Sequence, residues 1–164
     1  EAQCFELLYS HYIAPIYRFI FMKVSHPQEA EDLAHEVFLS AWQNIRQYQS
    51  RGFPFSSWLY QIARNLVIDH YRVKKNNVSL TGIDEELVNA HDPTETNLDQ
   101  ILSLEKIKAA IRQLNHDQQD VLLMRFMEDL SHQEIATALS KSEGAVRLIQ
   151  HRALNELKKI LGQL

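Results

Sequence analysis

The stretch SHQEIATALSKSEGAVRLIQHRAL, from Ser131 to Leu154, decides the fold of the C-terminal part of this chain. It predicts two helices joined by a tight turn. Ser131 followed by Glu134 fits a capping box at the start of the first helix, and Ser142 is the expected N-cap of the second. The small Ala136 stands where the second helix must cross closely. The stretch therefore predicts a helix-turn-helix.

The second helix of this pair has two chemically different faces. Its inward stripe consists of Val146, Ile149, Ala153 and Leu157, which leaves Glu143, Arg147, Leu148, His151 and Arg152 pointing away from the core. Arg and His on such a helix can reach base edges in the major groove while the helix start lies near phosphate. An ordinary helical hairpin with a solvated charged face is the alternative. The outward arginines and the serine-rich turn favour DNA binding.

Helical periodicity also fills the N-terminal part of the chain. A first helix is predicted from apolar residues spaced between Phe5 and Ile20, which Pro15 should bend or divide. Pro27 fits the first turn of a second helix, whose apolar stripe runs from Ala30 to Ile45. The opposite face of that helix carries Glu29, Asp32 and Glu36.

A loop and a third helix follow. The segment Tyr48 to Phe55 contains Gly52 and Pro54 and is predicted to be a loop. The helix after it is expected from about Ser56 to Val73, with an inward face of Trp58, Leu59, Ile62, Leu66 and Tyr71. Arg64, Asn65, Ile68, Asp69 and Arg72 share the outward face, where Arg can hold phosphate and Asn or Asp can read base edges.

Residues 76–100 lack periodicity and separate two modules. From Asn76 to Gln100 the chain has six acids and no Lys or Arg, which is typical of a flexible linker. After the linker, apolar residues at helical spacing resume and are predicted to be buried: Ile101, Leu104, Ile107, Ile111, Leu114, Val121, Leu122 and Phe126. The sequence thus predicts an all-α protein of two small helical domains, at 1–75 and 101–164, joined by a flexible linker at 76–100.

Composition limits the class of protein. The chain has 164 residues, 45% of them hydrophobic, with one cysteine and a net charge of −4. Cys4 alone cannot form an internal disulfide or a multi-cysteine zinc site. No apolar run approaches the roughly 20 residues of a membrane span. We therefore expect a cytoplasmic protein with no membrane contact of its own.

Three motifs in order resemble those of one protein family. AEDLAHEVFLSAW (Ala30 to Trp42), PFSSWLYQIARNLVIDHYR (Pro54 to Arg72) and the helix-turn-helix resemble the extracytoplasmic-function group of bacterial RNA polymerase sigma factors. The resemblance covers both modules but not the linker. It implies that the N-terminal module is sigma domain two and that the C-terminal module is sigma domain four.

The resemblance also implies roles for individual residues. Asp32, Glu36 and Leu39 would dock on core RNA polymerase, although family members often have Gln where His35 stands. The list of residues expected to melt and read the minus-ten promoter element is Tyr48, Phe53, Arg64, Asn65, Asp69 and Arg72. The list for the minus-thirty-five element is Ser142, Arg147, Leu148, His151 and Arg152. The expected partners are core polymerase, promoter DNA and an anti-sigma factor, with no cofactor, metal or catalytic residue.

Two other classes of protein fit the sequence less well. A response regulator has a similar C-terminal helix-turn-helix, but its sensor domain needs strands that the N-terminal module lacks. A helical metalloenzyme would need paired ligands, and the eight histidines include no pair at i, i+3 or i, i+4. His35-Glu36 superficially opens a zinc-protease motif, but Leu39 stands where its second histidine belongs.

Overall fold

The computed structural model describes residues 2–50, 52–81 and 98–163. Within these ranges the chain forms helices and no β-strand, which confirms the predicted all-α fold. The seven α-helices of the described chain are α1 (Ala2–Val24), α2 (Pro27–Asn44), α3 (Phe55–Thr81), α4 (Leu98–Arg112), α5 (His116–Leu122), α6 (His132–Leu139) and α7 (Glu143–Gly162).

The first helix is longer and less interrupted than predicted. Pro15 lies inside α1, and the helix continues through it to Val24. Proline removes one backbone hydrogen bond from a helix, but its fixed φ is close to the helical value. Ile16, Phe19 and Ile20, which follow the proline, are fully buried. Their packing supports the C-terminal half of α1, so Pro15 does not divide the helix into two.

Helices α1, α2 and α3 pack together as the N-terminal module. Pro27 occupies the first turn of α2, as predicted. The stripe of α2 supplies Ala30, Val37 and Phe38 to the core, and α3 adds Leu59 and Val67. The apolar face of α2 predicted from periodicity is therefore the face that packs as far as Ala41, whereas Trp42 is 42% exposed.

Helix α3 extends beyond its predicted end. It was expected to stop near Val73 and instead reaches Thr81. Lys74 on this extension forms an ion pair of 3.6 Å with Glu29 of α2, so α2 also contacts α3 beyond Val73. Within the predicted linker of residues 76–100, residues 76–81 belong to α3 and residues 98–100 belong to α4. Residues 82–97 lie outside the described residues.

The C-terminal module is built from α4 to α7. Asn115 caps α5 in a complete capping box: its side chain accepts from the Gln118 N–H at 2.9 Å, and Gln118 accepts from the Asn115 N–H at 3.3 Å. Ile111, Leu114 and Val121 are buried, as the periodicity predicted.

Three apolar residues of this module are not buried as predicted. Phe126 is 62% exposed because Leu123–Met127 forms a wider helical turn, in which the Glu128 N–H donates to the Leu123 carbonyl. An i to i+5 turn changes the direction of the side chains that follow. Leu104 and Ile107 are exposed on α4, which begins to bury its side chains only near Lys108.

Candidate nucleic-acid interface

Helices α6 and α7 form the predicted helix-turn-helix. The Ser131 hydroxyl accepts from the Glu134 N–H at 3.1 Å, so the Ser131 half of the predicted capping box is present. Helix α6 ends at Leu139, and the next residue, Ser140, adopts a left-handed conformation with φ of 54°. Ser142 then caps α7 by accepting from the Ala145 N–H at 3.1 Å, as predicted. The two caps and the single left-handed residue fix the turn between the helices.

The outward face of α7 carries the predicted reading residues. Val146 and Ala153 are buried, whereas Ser142, Arg147, Leu148, His151 and Arg152 are all exposed. The Arg147 guanidinium lies 3.5 Å from the Glu143 carboxylate of the preceding turn. Both side chains are largely exposed, so this ion pair costs little to exchange for a phosphate or a base edge. The face offers cationic, aromatic and apolar groups on one short helical surface.

The loop after α2 forms an aromatic pocket. The Tyr48 hydroxyl donates to the Phe53 carbonyl at 3.1 Å, and the Tyr48 ring lies 5.3 Å from Phe55 and 5.1 Å from Trp58. A cavity of about 330 Å³ opens beside these rings, lined by Gln47, Tyr48, Gln49, Phe53, Pro54, Trp58, Gln61 and Thr137. Phe53 is partly exposed at its rim. Trp58, expected in the core, is half-buried and packs on the core while also lining the cavity.

Three of the four predicted reading residues on α3 face solvent. Asn65, Asp69 and Arg72 are exposed, and Arg72 lies 3.6 Å from Asp69 in a surface ion pair. Arg64 does not share this face. Its side chain is only 19% exposed, with Nε 2.7 Å and Nη2 2.5 Å from the carboxylates of Asp120 and Asp117. The prediction that Arg64 points outward is wrong in this conformation, because the C-terminal module packs against that side of α3.

A buried ion pair lies beside Arg64 and was not predicted. The Lys23 ammonium on α1 donates to Asp120 on α5, and both side chains are fully buried. Burial lowers the pKa of Lys23, and the adjacent Asp120 carboxylate partly offsets that effect. We call Lys23, Arg64, Asp117 and Asp120 the module-contact cluster. One feature of the sequence indicates this cluster. Lys23 follows Phe19 and Ile20 at helical spacing, which places a lysine on the inward stripe of α1.

Asp117 links this cluster to the helix-turn-helix. Its second carboxylate oxygen lies 3.4 Å from the Lys141 ammonium in the turn between α6 and α7. Burial alone would raise the pKa of Asp117, but the Arg64 hydrogen bond and the Lys141 charge outweigh it and lower the pKa. The carboxylate is therefore held ionised between a cation from each module.

Further polar contacts join the two modules around the cluster. Arg18 forms an ion pair of 3.1 Å with Glu128. Ser57 donates to the Glu134 carbonyl at 3.1 Å, and the Gln61 amide donates to the Ser140 hydroxyl at 3.3 Å. Buried apolar residues of both modules, Val67 and Met124 among them, belong to one continuous core. The modules are thus packed directly on each other.

The predicted polymerase-docking residues lie on the solvent face of α2. Asp32, Glu36 and Leu39 are exposed, and Asp32 accepts from the Gln28 amide at 3.1 Å. His35 is also exposed and stacks on Tyr9 with ring centroids 6.5 Å apart. This face is free of the contact between modules. It offers two carboxylates around an exposed leucine.

The described residues offer little for other kinds of site. Among them, no group of three or more His, Cys, Asp or Glu side chains is placed to hold a metal ion. None of the helices in the described ranges is long and apolar enough to cross a membrane.

A helix-turn-helix with an exposed cationic recognition helix is typical of a DNA-binding protein, and comparison with known proteins gives the family. Residues 8–77 match Sigma-70 region 2, and residues 110–159 match Sigma-70, region 4. The chain belongs to the extracytoplasmic-function group of RNA polymerase sigma factors. Members of this family are transcription initiation factors and not enzymes.

Individual relatives support this assignment. The chain is 35% identical to the sigma factor BldN of Streptomyces coelicolor over 98% of its own length, and it spans 61% of the length of BldN. It is 32% identical to SigX of Bacillus subtilis, covering 96% of this chain and 83% of SigX. The sigma factor RpoE of Bartonella quintana, solved in complex with the anti-sigma factor NepR, has the same fold, with a TM-score of 0.80 at 23% identity over 98% of each chain.

Proposed function

We propose that this chain is an alternative sigma factor that binds core RNA polymerase and directs promoter-specific initiation of transcription. The observation that carries the proposal is that each of the two family regions presents a surface suited to nucleic acid. One is the exposed cationic face of α7, and the other is the aromatic pocket at the start of α3. In this proposal residues 1–75 act as domain two, residues 76–100 join the domains, and residues 101–164 act as domain four.

Helix α7 is proposed to read the minus-thirty-five element. Ser142 accepts from the Ala145 N–H, and the remaining N–H groups at the start of the helix are suited to a phosphate. Arg147 and Arg152 are suited to a guanine edge and to the backbone, and His151 lies between them. Leu148 is exposed, and its apolar side chain suits the methyl group of thymine.

The loop and α3 are proposed to open and read the minus-ten element. The cavity beside Tyr48 and Phe53 is bordered by aromatic rings, on which an unstacked base can stack. Asn65 and Asp69 offer hydrogen-bonding groups farther along α3, and Arg72 offers a phosphate contact. Arg64 can contribute to this surface once its ion pairs with Asp117 and Asp120 are broken.

The solvent face of α2 is proposed to bind core polymerase. Asp32 and Glu36 lie one turn apart beside the exposed Leu39, which gives an apolar centre with acidic neighbours. An anti-sigma factor is the proposed regulator, since the structurally similar RpoE was solved in complex with the anti-sigma factor NepR. The protein would act in the cytoplasm, where polymerase is found.

Run-off transcription tests the proposal directly. Core polymerase and this chain are combined on a promoter library, and specific transcripts are expected only when both are present. Asp32→Ala combined with Glu36→Ala should weaken co-elution with core polymerase without changing the free energy of unfolding, because both side chains are exposed. A chain that never co-elutes with core polymerase in the absence of inhibitor contradicts the proposal.

A further inference from the structure

A polar contact joins the two helices of the helix-turn-helix at one side of the reading face. The ring Nε2 of His132, on α6, lies 2.7 Å from the side-chain carbonyl oxygen of Gln150, on α7. An amide oxygen can only accept a hydrogen bond, so the imidazole carries a proton on Nε2 and donates it. Both side chains are half-buried. The contact therefore orders the Gln150 side chain.

The amide nitrogen of Gln150 takes no part in this contact. Among the residues that the structure describes, no group accepts a hydrogen bond from it, and it is not a buried atom. An amide nitrogen has two hydrogens to donate. Gln150 therefore presents two free donors at the surface of an ordered side chain.

The position of Gln150 on α7 favours the DNA backbone as the acceptor. Gln150 and Arg152 are separated by about 200° around the helix. Arg147, Leu148 and His151 are exposed within that arc. A helix about 10–12 Å wide fills a major groove about 12 Å wide. When the residues within the arc face the bases, Gln150 and Arg152 therefore lie against the two opposite phosphate walls.

Helix α6 begins on the same side of α7 as Gln150, because His132 is the first residue of α6. In helix-turn-helix proteins the first helix crosses the DNA backbone while the second lies in the groove. Glutamine side chains are among the groups that contact phosphate oxygens. The strand crossed by α6 is thus the strand that Gln150 can reach.

We propose that Gln150 is a further DNA-contact residue, which donates to a backbone phosphate at the edge of the minus-thirty-five element, and that His132 is its positioning residue. The inference rests on the proposed reading of that element by α7. Because His132 holds the amide oxygen, the Gln150 side chain is ordered before DNA binds, and less side-chain entropy is lost in the complex.

Two substitutions of Gln150 separate a DNA contact from a purely structural role. Gln150→Ala removes both the donors and the partner of His132. Gln150→Glu keeps an oxygen for His132, but it loses the donors and brings a negative charge to the phosphate. Binding is measured by fluorescence anisotropy of the full chain on a duplex with the minus-thirty-five element selected by run-off transcription. Gln113→Ala and Gln113→Glu, at an exposed residue outside α6 and α7, are the matched controls.

We expect Gln150→Ala to weaken duplex binding about tenfold, because a hydrogen bond to a charged group is lost. Gln150→Glu should bind more weakly still, and the controls should bind like the parent protein. The salt dependence should be the same for Gln150→Ala as for the parent, because the amide is neutral. Parent-like binding by either Gln150 variant would overturn the inference.

Neutral phosphate analogues locate the contact. Each phosphate around the element is replaced in turn by methylphosphonate, and binding of the parent is compared with that of Gln150→Ala. At the phosphate that Gln150 contacts, the parent should lose affinity, whereas Gln150→Ala should lose little more. If Gln150→Ala shows the same loss as the parent at every phosphate, Gln150 contacts none of them and the inference fails.

Variants of His132 test the positioning role. His132→Ala should weaken binding about threefold, because a free glutamine side chain must then be ordered on binding. The double variant His132→Ala, Gln150→Ala should bind no more weakly than Gln150→Ala alone. His132→Gln, whose amide nitrogen takes the place of Nε2, should restore binding. Additive losses, or His132→Gln as weak as His132→Ala, would refute positioning by His132.

The parent protein separates failure of this inference from failure of the proposed function. If the parent shows no preference for the selected element over other duplexes, α7 does not read it, and the proposed function and this inference both fail. If the parent prefers the element and Arg147→Ala weakens that binding while both Gln150 variants bind normally, only this inference fails.

Discussion

Replacing Arg147 by Ala should weaken upstream promoter binding and relax its specificity at one base pair. Arg147 and Arg152 lie five residues apart on α7, which separates them by about 140° around the helix and about 7.5 Å along it. Recognition helices generally contact base edges through their N-terminal residues. Arg147 is in the second turn of α7, and Arg152 is farther along. We therefore expect Arg147 to read a base and Arg152 to hold the backbone.

The magnitude follows from the surroundings of Arg147. Its side chain is 60% exposed and its ion pair with Glu143 is a surface pair. The substitution should therefore lower the free energy of unfolding by at most about 0.5 kcal/mol. Loss of a base-reading arginine costs about 1–3 kcal/mol of binding. That range corresponds to an affinity about 5- to 150-fold weaker.

Anisotropy titrations against duplexes scanned one base pair at a time test this assignment. Arg147→Ala should lower affinity for the preferred duplex and have little further effect on a duplex already changed at the base pair it reads. Arg152→Ala should weaken all duplexes alike and reduce the salt dependence. Lys158→Ala, a charge-matched change at an exposed position of α7, is the control. Uniform weakening by Arg147→Ala would refute its assignment as the base reader.

Three further predictions concern promoter opening, the buried ion pair and pH. Asn65→Ala should leave upstream binding intact and reduce permanganate reactivity of the opened promoter, and loss of upstream contacts would show that the modules are wrongly assigned. Asp120→Leu should lower the free energy of unfolding by about 3–5 kcal/mol in denaturant titrations, because it leaves the Lys23 charge buried without its partner. Adding Lys23→Met should restore most of that free energy. A double variant that is as destabilised as Asp120→Leu alone would contradict a coupled pair. Burial and the Lys23 charge lower the pKa of His116 below its ordinary value of 6.5 in the folded protein. As the pH falls from about 7 to about 5, the unfolded chain therefore binds a proton at His116 more readily than the folded protein does. The free energy of unfolding should fall over this range. His116→Gln should remove part of this pH dependence. If the variant and the parent protein show the same change in unfolding free energy with pH, another group causes it.

Local features of the sequence predicted the individual helices well. The apolar stripe of α2 and the Ser142 cap of α7 depend on residues close together in the chain, so spacing alone was sufficient. Phe126 was misplaced because the wider turn at Leu123–Met127 interrupts the helical period. No local rule for apolar spacing anticipates such a turn.

Contacts between the modules could not be predicted in the same way. Arg64 and Asp120 are 56 residues apart, and Lys23 and Asp120 are 97 apart. On the sequence alone, Arg64 belongs to the same polar face as Asn65. In the structure the packing of α5 and α6 covers Arg64 and leaves Asn65 exposed. The inward position of Lys23 indicates that some carboxylate must meet it, but not which one.

The length of α3 has a consequence for promoter architecture. From Phe55 to Thr81 the helix is 27 residues long, or about 40 Å. Asn65 and Arg72 are seven residues apart on it, which is about 10.5 Å and close to three base steps. A continuous helix keeps this spacing constant, so, if Asn65 and Arg72 both contact the minus-ten strand as proposed, a nucleotide inserted between their two contacts would put one of them out of register.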